Sequence, residues 1–302
     1  MLLTAQLNTN GRISRQVSCL GLRSCVQGLV LVLMILTCVT SYAQNRTPNV
    51  CAAEFLRAFG LAYESSSEGS QASVTEEDFE WITPPEFAEM QRVTDALLTR
   101  FPPDTHIYVG LGRSPAPIMA MLEAKGIRGT HSLPLSSFRS HPESRNWWGY
   151  TWTYAGYAGR LRDSLVDKLF RHFAHFLPNI AQLGQKNLVI MDYSESGLSL
   201  ASAHSYLREY YKAQGYDGNI LQVAFNNPNF QLVAPMPHGS VIGLQQPRLI
   251  HKFQEAIFDD FAPFGGFDIA KQETRELKPN PRYCELVEHF RRLLTASRLP
   301  GE

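Results

Sequence analysis

The stretch NLVIMDYSESGLSLASAHSY, Asn187 to Tyr206, allows few local structures. Leu188, Val189, Ile190 and Met191 form a short continuous apolar run, the pattern of a central strand covered on both faces. Asp192 ends that run. Ser194, Glu195, Ser196, Gly197 and Ser199 then supply a small-residue turn with several hydroxyls. From Leu198 the apolar positions Leu198, Ala201, Tyr206 and Leu207 fit a helix. A strand that turns tightly into a helix aims backbone N–H groups and the positive end of the helix dipole at one spot. Such a spot binds phosphate. The same pattern also describes an ordinary strand-to-helix turn with a Ser-rich cap.

A second turn of this kind lies earlier. Thr105 to Val109 reads as a strand that runs into GLGRSPAPIMAMLEAKG, Gly110 to Gly126. Gly110 and Gly112 permit close backbone approach and positive φ. Arg113 and Ser114 offer a cation and a hydroxyl. Pro115 and Pro117 suit the entry to a helix whose core face includes Ile118, Met121 and Leu122. The dinucleotide fingerprint is excluded, because it needs a third glycine and a later acid for the ribose. What remains is a Gly-rich anion loop with one arginine, or a tight turn with a surface arginine.

Between the two turns, Thr130 to Leu135 reads as a strand. Ser136 to Gly159 then concentrates Trp147, Trp148, Tyr150, Trp152, Tyr154 and Tyr157 with Arg139, His141 and Arg145. Alternation at Tyr150, Trp152 and Tyr154 suits a strand or hairpin. The segment reads as a flap over a ligand, with Arg145, Trp147, Trp148 and Tyr150 as its contacts, or as aromatic packing under a long loop. Leu161 to Leu177 is an amphipathic helix with Leu165, Val166, Leu169, Phe170, Phe173 and Phe176 as its stripe. His172 and His175 lack the nearby Glu or Cys that would complete a zinc set. Asn219 to Phe225 and Ser240 to Leu244 are further strands.

The ends carry no site chemistry of this kind. Thr83-Pro84-Pro85 opens a helix with Phe87, Met90, Val93, Leu97 and Leu98 on its apolar face, after a Ser/Gly-rich loop at Glu64 to Ser73. Phe253 to Ile269 holds Asp259, Asp260 and Asp268 among phenylalanines. Adjacent acids of that kind suit a divalent cation, but in a loop they read first as solvated. Pro281 to Leu294 is a closing helix with Tyr283, Leu286, Val287, Phe290 and Leu293 inward.

The first residues read as a secretory signal peptide. Arg12, Arg15 and Arg23 precede the apolar run Leu29 to Val39, and Ser41-Tyr42-Ala43 is a small-x-small cleavage site before Gln44. The run is short for a membrane span. Cys19, Cys25 and Cys38 would leave with it. Cys51 and Cys284 remain, near the two ends of the exported chain, either as a disulfide or as two separate thiols. Of the 302 residues, 28 are basic and 28 acidic, a neutral balance that gives no support to nucleic-acid binding. The expected organisation is a signal peptide at 1–43 and a helical N-terminal extension at 44–104. An α/β core follows at 105–245 with the aromatic flap at 136–160, then a C-terminal extension at 246–302. The expected fold class is α/β: a Rossmann-like three-layer core around a mostly parallel sheet.

The order of elements and the string Val189 to Ser199 together resemble the type I phosphoribosyltransferase family. The resemblance covers Thr105 to Leu244. The family's ribose-phosphate motif is an apolar run, two acids, two variable residues, a Thr or Asp, then Thr-Gly-x-Thr. Counting back from Gly197 puts Asp192 on the second acid and Met191 on the first. Glu195 falls where some members carry a base. Ser194, Ser196, Gly197 and Ser199 match the phosphate loop. Gly110, Gly112, Arg113 and Ser114 resemble the pyrophosphate loop, and the aromatic insertion lies where the family carries its hood. The resemblance implies a phosphorylated ribose or nucleotide ligand, Asp192 on the ribose hydroxyls and Mg²⁺, and Asp192, Glu195 and Arg113 in catalysis if phosphoribosyl transfer occurs. Met191 in place of an acid departs from the pattern, as does export, since phosphoribosyl diphosphate is a cytosolic metabolite. The alternatives are a secreted interaction module that keeps only the fold, and a serine hydrolase using Ser194 or Ser196 with His204 or His238. The elbow pattern G-x-S-x-G is absent around both serines.

Overall fold

The apolar runs are apolar on both sides because the sheet they build is covered on both sides. In the computed structural model, strand β1 (His106–Leu111) pairs in parallel with β2 (Thr130–Leu133) on one side and with β5 (Asn187–Tyr193) on the other. Strand β6 (Ile220–Asn226) follows β5, and β7 (Gly239–Gly243) closes the far edge, giving the order β2-β1-β5-β6-β7. All five strands are parallel. The chain is an α/β protein with a Rossmann-like parallel core. A separate two-stranded ribbon pairs β3 (Asn146–Trp147) with β4 (Tyr150–Thr151), antiparallel.

The structure describes Cys51, residues 79–136, 138, 146–147, 150–151, 161–229, 232 and 239–297. The expected signal peptide, the Ser/Gly-rich loop and most of the aromatic flap lie outside the described residues. So do Arg145 and Trp148.

Helices α1 (Pro84–Arg100), α2 (Ala116–Ala124) and α7 (Pro281–Ala296) share one face of the sheet. Register places Tyr108, Gly110, Thr130, Val189, Met191 and Val223 on that face. Helices α3 (Asp163–Phe176) and α5 (Leu198–Lys212) cover the other, which carries Val109, His131, Ile190, Asp192 and Gln222. A short α4 (Ile180–Leu183) precedes β5. Met191, at the position where the resemblance expects an acid, is fully buried in the core.

The stripe expected on α3 is buried at Val166, Leu169, Phe173 and Phe176, and His172 joins it. His172 donates from Nε2 to the Pro134 carbonyl at 2.7 Å, accepts from the Thr274 hydroxyl at 3.0 Å and lies flat on Phe267 at 4.2 Å. Burial pushes its pKa down to about 4, so it packs as a neutral ring. On α7, Leu294 is buried and Leu293 half-buried, one position later than the apolar pattern suggests.

The C-terminal segment is a working part of the core. Helix α6 (Pro247–Gln254) is followed by a 3₁₀ turn, Ile257–Phe261, and a second one at Thr274–Glu276. Lys252 of α6 reaches the buried carboxylate of Glu86 on α1 at 2.7 Å and lies over the Trp81 ring. Glu86 also accepts from the Thr83 backbone and hydroxyl at the start of α1, each at 2.8 Å. Among the described residues, no helix is long and apolar enough to cross a membrane.

Candidate functional site

The chain leaves β1 towards β2 on one side and leaves β5 towards β6 on the other. Right-handed crossovers in opposite directions must put their helices on opposite faces, so α2 and α5 diverge. A crevice then opens at the carboxyl ends of β1 and β5, where open parallel sheets bind ligands. The loops flanking it are residues 112–115 and 194–197, the two turns marked in the sequence.

The glycines of the first loop have structural roles. Gly110 lies inside β1, and a Cβ there would sit 2.7 Å from Cγ of Met119 on α2. Gly112 has φ of +71° and a Cβ there would lie 2.7 Å from the Leu135 carbonyl oxygen. Its N–H donates to the Leu133 carbonyl at 2.8 Å. Close helix packing and a left-handed turn therefore explain both glycines. Ser114 is half-buried at the entry to α2.

In the second loop the hydroxyls cap their own turn. Gly197, at φ of +78°, is the residue before α5. Its N–H donates to Ser194 Oγ at 2.8 Å, and the Leu198 N–H donates to Ser196 Oγ at 3.4 Å. Ser199 is half-buried in the first turn of α5. Ser194 is itself buried, its N–H tied to the Phe225 carbonyl at 2.9 Å. Glu195 is exposed and accepts from Gln254 of α6 at 3.2 Å.

Asp192 is the chemically unusual member. It is 8% exposed, and its Oδ1 is buried with no hydrogen-bond partner. Burial pushes its carboxyl well above the usual carboxylate range, the Tyr193 backbone N–H opposes this, and the charge of Asp259 pushes it further up. A buried acceptor left without a donor is costly and is a feature that a ligand can satisfy.

Asp259 enters this neighbourhood from the C-terminal segment. Read in the sequence as one of two solvated acids, it instead has a side chain only 20% exposed and pairs with Arg113 Nη2 at 2.8 Å. The physical reason is tertiary: Phe258 and Phe261 are buried on either side and hold the 3₁₀ turn against the core. Nothing in the local sequence pairs residues so far apart. Tyr193 lies stacked on Phe253 at 4.8 Å, which joins α6 to the end of β5.

The remaining expected features lie apart. Trp147 pairs in register with Tyr150 in the β3–β4 ribbon. No cluster of three or more metal-ligating side chains occurs among the described residues. Cys51 and Cys284 are joined as a disulfide, with Cα atoms 5.2 Å apart. His204 bonds through Nε2 to the Ile220 carbonyl, at the opposite end of the sheet from Ser194. His238 is outside the described residues. Two cavities lie away from the crevice. One of about 350 Å³ is bounded by Arg92, Arg100 and Val241, beside the edge strand β7. One of about 380 Å³ lies near Arg208, Lys212 and Tyr216, at the amino end of β6.

Fold and site together define an α/β protein with a parallel sheet and a switch-point crevice. No protein-family model, no curated protein and no solved structure matches the chain.

Proposed function

We propose that the chain is an exported, phosphoribosyltransferase-like protein that binds a phosphorylated ribose or nucleotide between the 112–115 and 194–197 loops. One observation carries the reading: the buried, partnerless Oδ1 of Asp192 lies on the strand end that borders the switch-point crevice. The α5 N-terminus would take the phosphate and Asp192 a ligand hydroxyl. Mg²⁺, if it enters with the ligand, would be held by Asp192 together with ligand oxygens, because no cluster of three or more metal-ligating side chains occurs among the described residues. Arg113, the cation expected on a leaving pyrophosphate, is paired with Asp259 beside this crevice. The Cys51–Cys284 bond agrees with an oxidising compartment.

A second reading, a secreted interaction module that keeps only the fold, draws on the structural roles of Gly110, Gly112, Ser194 and Ser196. A hydrolase draws no support, since His204 is engaged at the other end of the sheet.

Thermal unfolding with phosphoribosyl diphosphate, ribose 5-phosphate, pyrophosphate and nucleotides, each with and without Mg²⁺, separates the two. A ligand at 100 times its Kd raises the midpoint by roughly 5–10 °C. A shift that disappears in Asp192→Ala supports the ligand site. No shift with any of these at millimolar concentration leaves the interaction module.

A further inference from the structure

We propose that Asp259 is a built-in counter-ion for Arg113, which an anionic group of the ligand must displace to occupy the crevice; this rests on the ligand reading above. A guanidinium presents the same planar fork to a carboxylate and to a phosphate. The Asp259 carboxylate, 2.8 Å from Nη2, thus holds the position that a ligand oxyanion would take.

The surroundings decide how the exchange occurs. Phe258 and Phe261 are 1% and 4% exposed, and Arg282 of α7 lies over the Phe261 ring at 4.5 Å. Asn280 donates to the Asp260 and Ala262 carbonyls at 2.8 and 3.0 Å. The backbone of the turn is therefore clamped from two sides. Gly266 lies against the Arg113 guanidinium, where an added Cβ would come within 3.5 Å of Cζ. Arg113 is seated between Gly266 and the turn, yet its side chain is 41% exposed. A phosphate oxygen can reach it while the Asp259 side chain rotates away and the turn stays in place. Asp192 feels the charge of Asp259, so a departing Asp259 also removes a repulsive neighbour from the site.

The device makes the crevice selective. A neutral sugar leaves the Arg113–Asp259 pair intact and gains nothing from the guanidinium. A phosphorylated ligand must outcompete a carboxylate held at high local concentration, and this sets a threshold on its charge.

Calorimetric titration with inorganic pyrophosphate and with ribose 5-phosphate tests the idea on the native chain, Asp259→Asn, Asp259→Ser and Arg113→Ala. Removing the competing charge should tighten pyrophosphate binding about fivefold, the upper range for a partly exposed ion pair. Arg113→Ala should lose that gain when combined with Asp259→Asn. The Ser variant and each variant's unfolding midpoint guard against a folding defect. If the native chain binds pyrophosphate and both Asp259 variants bind it no tighter, the counter-ion role is overturned while the ligand site stands. If neither the native chain nor the Asp259 variants bind either compound, the ligand reading fails and the counter-ion role fails with it.

Discussion

The Tyr283 hydroxyl of α7 donates to Glu123 Oε1 of α2 at 2.9 Å, deep between the two helices. Thr130 of β2 donates to the same oxygen at 3.4 Å, and Glu123 Oε2 is buried without a partner. Burial raises the Glu123 pKa from 4.5 to about 7, against the lowering effect of these two hydrogen bonds. A carboxyl whose folded pKa is raised stabilises the fold fully below its unfolded pKa and loses that contribution as pH rises through the folded one. The loss falls between about pH 4.5 and 7 and is on the order of 3 kcal/mol. Urea unfolding from pH 4.5 to 8 should show it, and Glu123→Gln should flatten the slope. An unchanged slope in the variant would remove Glu123 as its source.

Tyr283→Phe keeps the packing and deletes the donor. It should cost about 1–3 kcal/mol, because a buried carboxyl loses its main partner. The loss should be larger at pH 8 than at pH 5, where Glu123 is neutral. Equal losses at both values would contradict the assignment.

Gly110→Ala and Gly112→Ala distinguish packing from ligand roles. At Gly110 the obstacle is a flexible methionine side chain; at Gly112 it is a backbone carbonyl, and φ is positive. Expected losses in unfolding free energy are about 1–3 kcal/mol for the first and a larger value for the second. Normal stability in Gly112→Ala would mean that the loop conformation is wrong.

Ala256 has φ of +56°, and it is the one non-glycine residue with positive φ among the described residues. It enters the 3₁₀ turn that carries Asp259. Ala256→Gly should relieve strain and leave stability unchanged or higher by up to about 1 kcal/mol, read from denaturant midpoints.

The Cys51–Cys284 bond closes a long loop, with 233 residues of sequence separation. Cys284→Ser should lower stability by about 2–4 kcal/mol under non-reducing conditions. Peptide mapping without reduction should recover the two cysteine peptides joined. Separate peptides would overturn the pairing.

Strand positions, the α5 start at Leu198 and the apolar faces of α1, α3 and α7 were legible because each follows from local periodicity, a proline or a left-handed glycine. The two loops at the switch point were legible for the same reason. Helix α6 escaped notice because PRLIHKFQ is only eight residues long, too short for its apolar positions to show a clear helical period. The strand β1 runs two residues further than its apolar run suggested, since Gly110 reads as a loop residue until Met119 is seen filling its missing side chain.

What the sequence by itself determined is the alternation of strand, turn and helix, because hydrogen-bond periodicity and glycine stereochemistry are local. Only the tertiary structure decided the chemistry at the crevice. Asp259 becomes the partner of Arg113 because the burial of Phe258 and Phe261 brings the C-terminal turn to the end of the sheet, and the Oδ1 of Asp192 is buried there without a donor. Charge pairing and desolvation depend on distances through space, and a pattern read along the chain does not contain them.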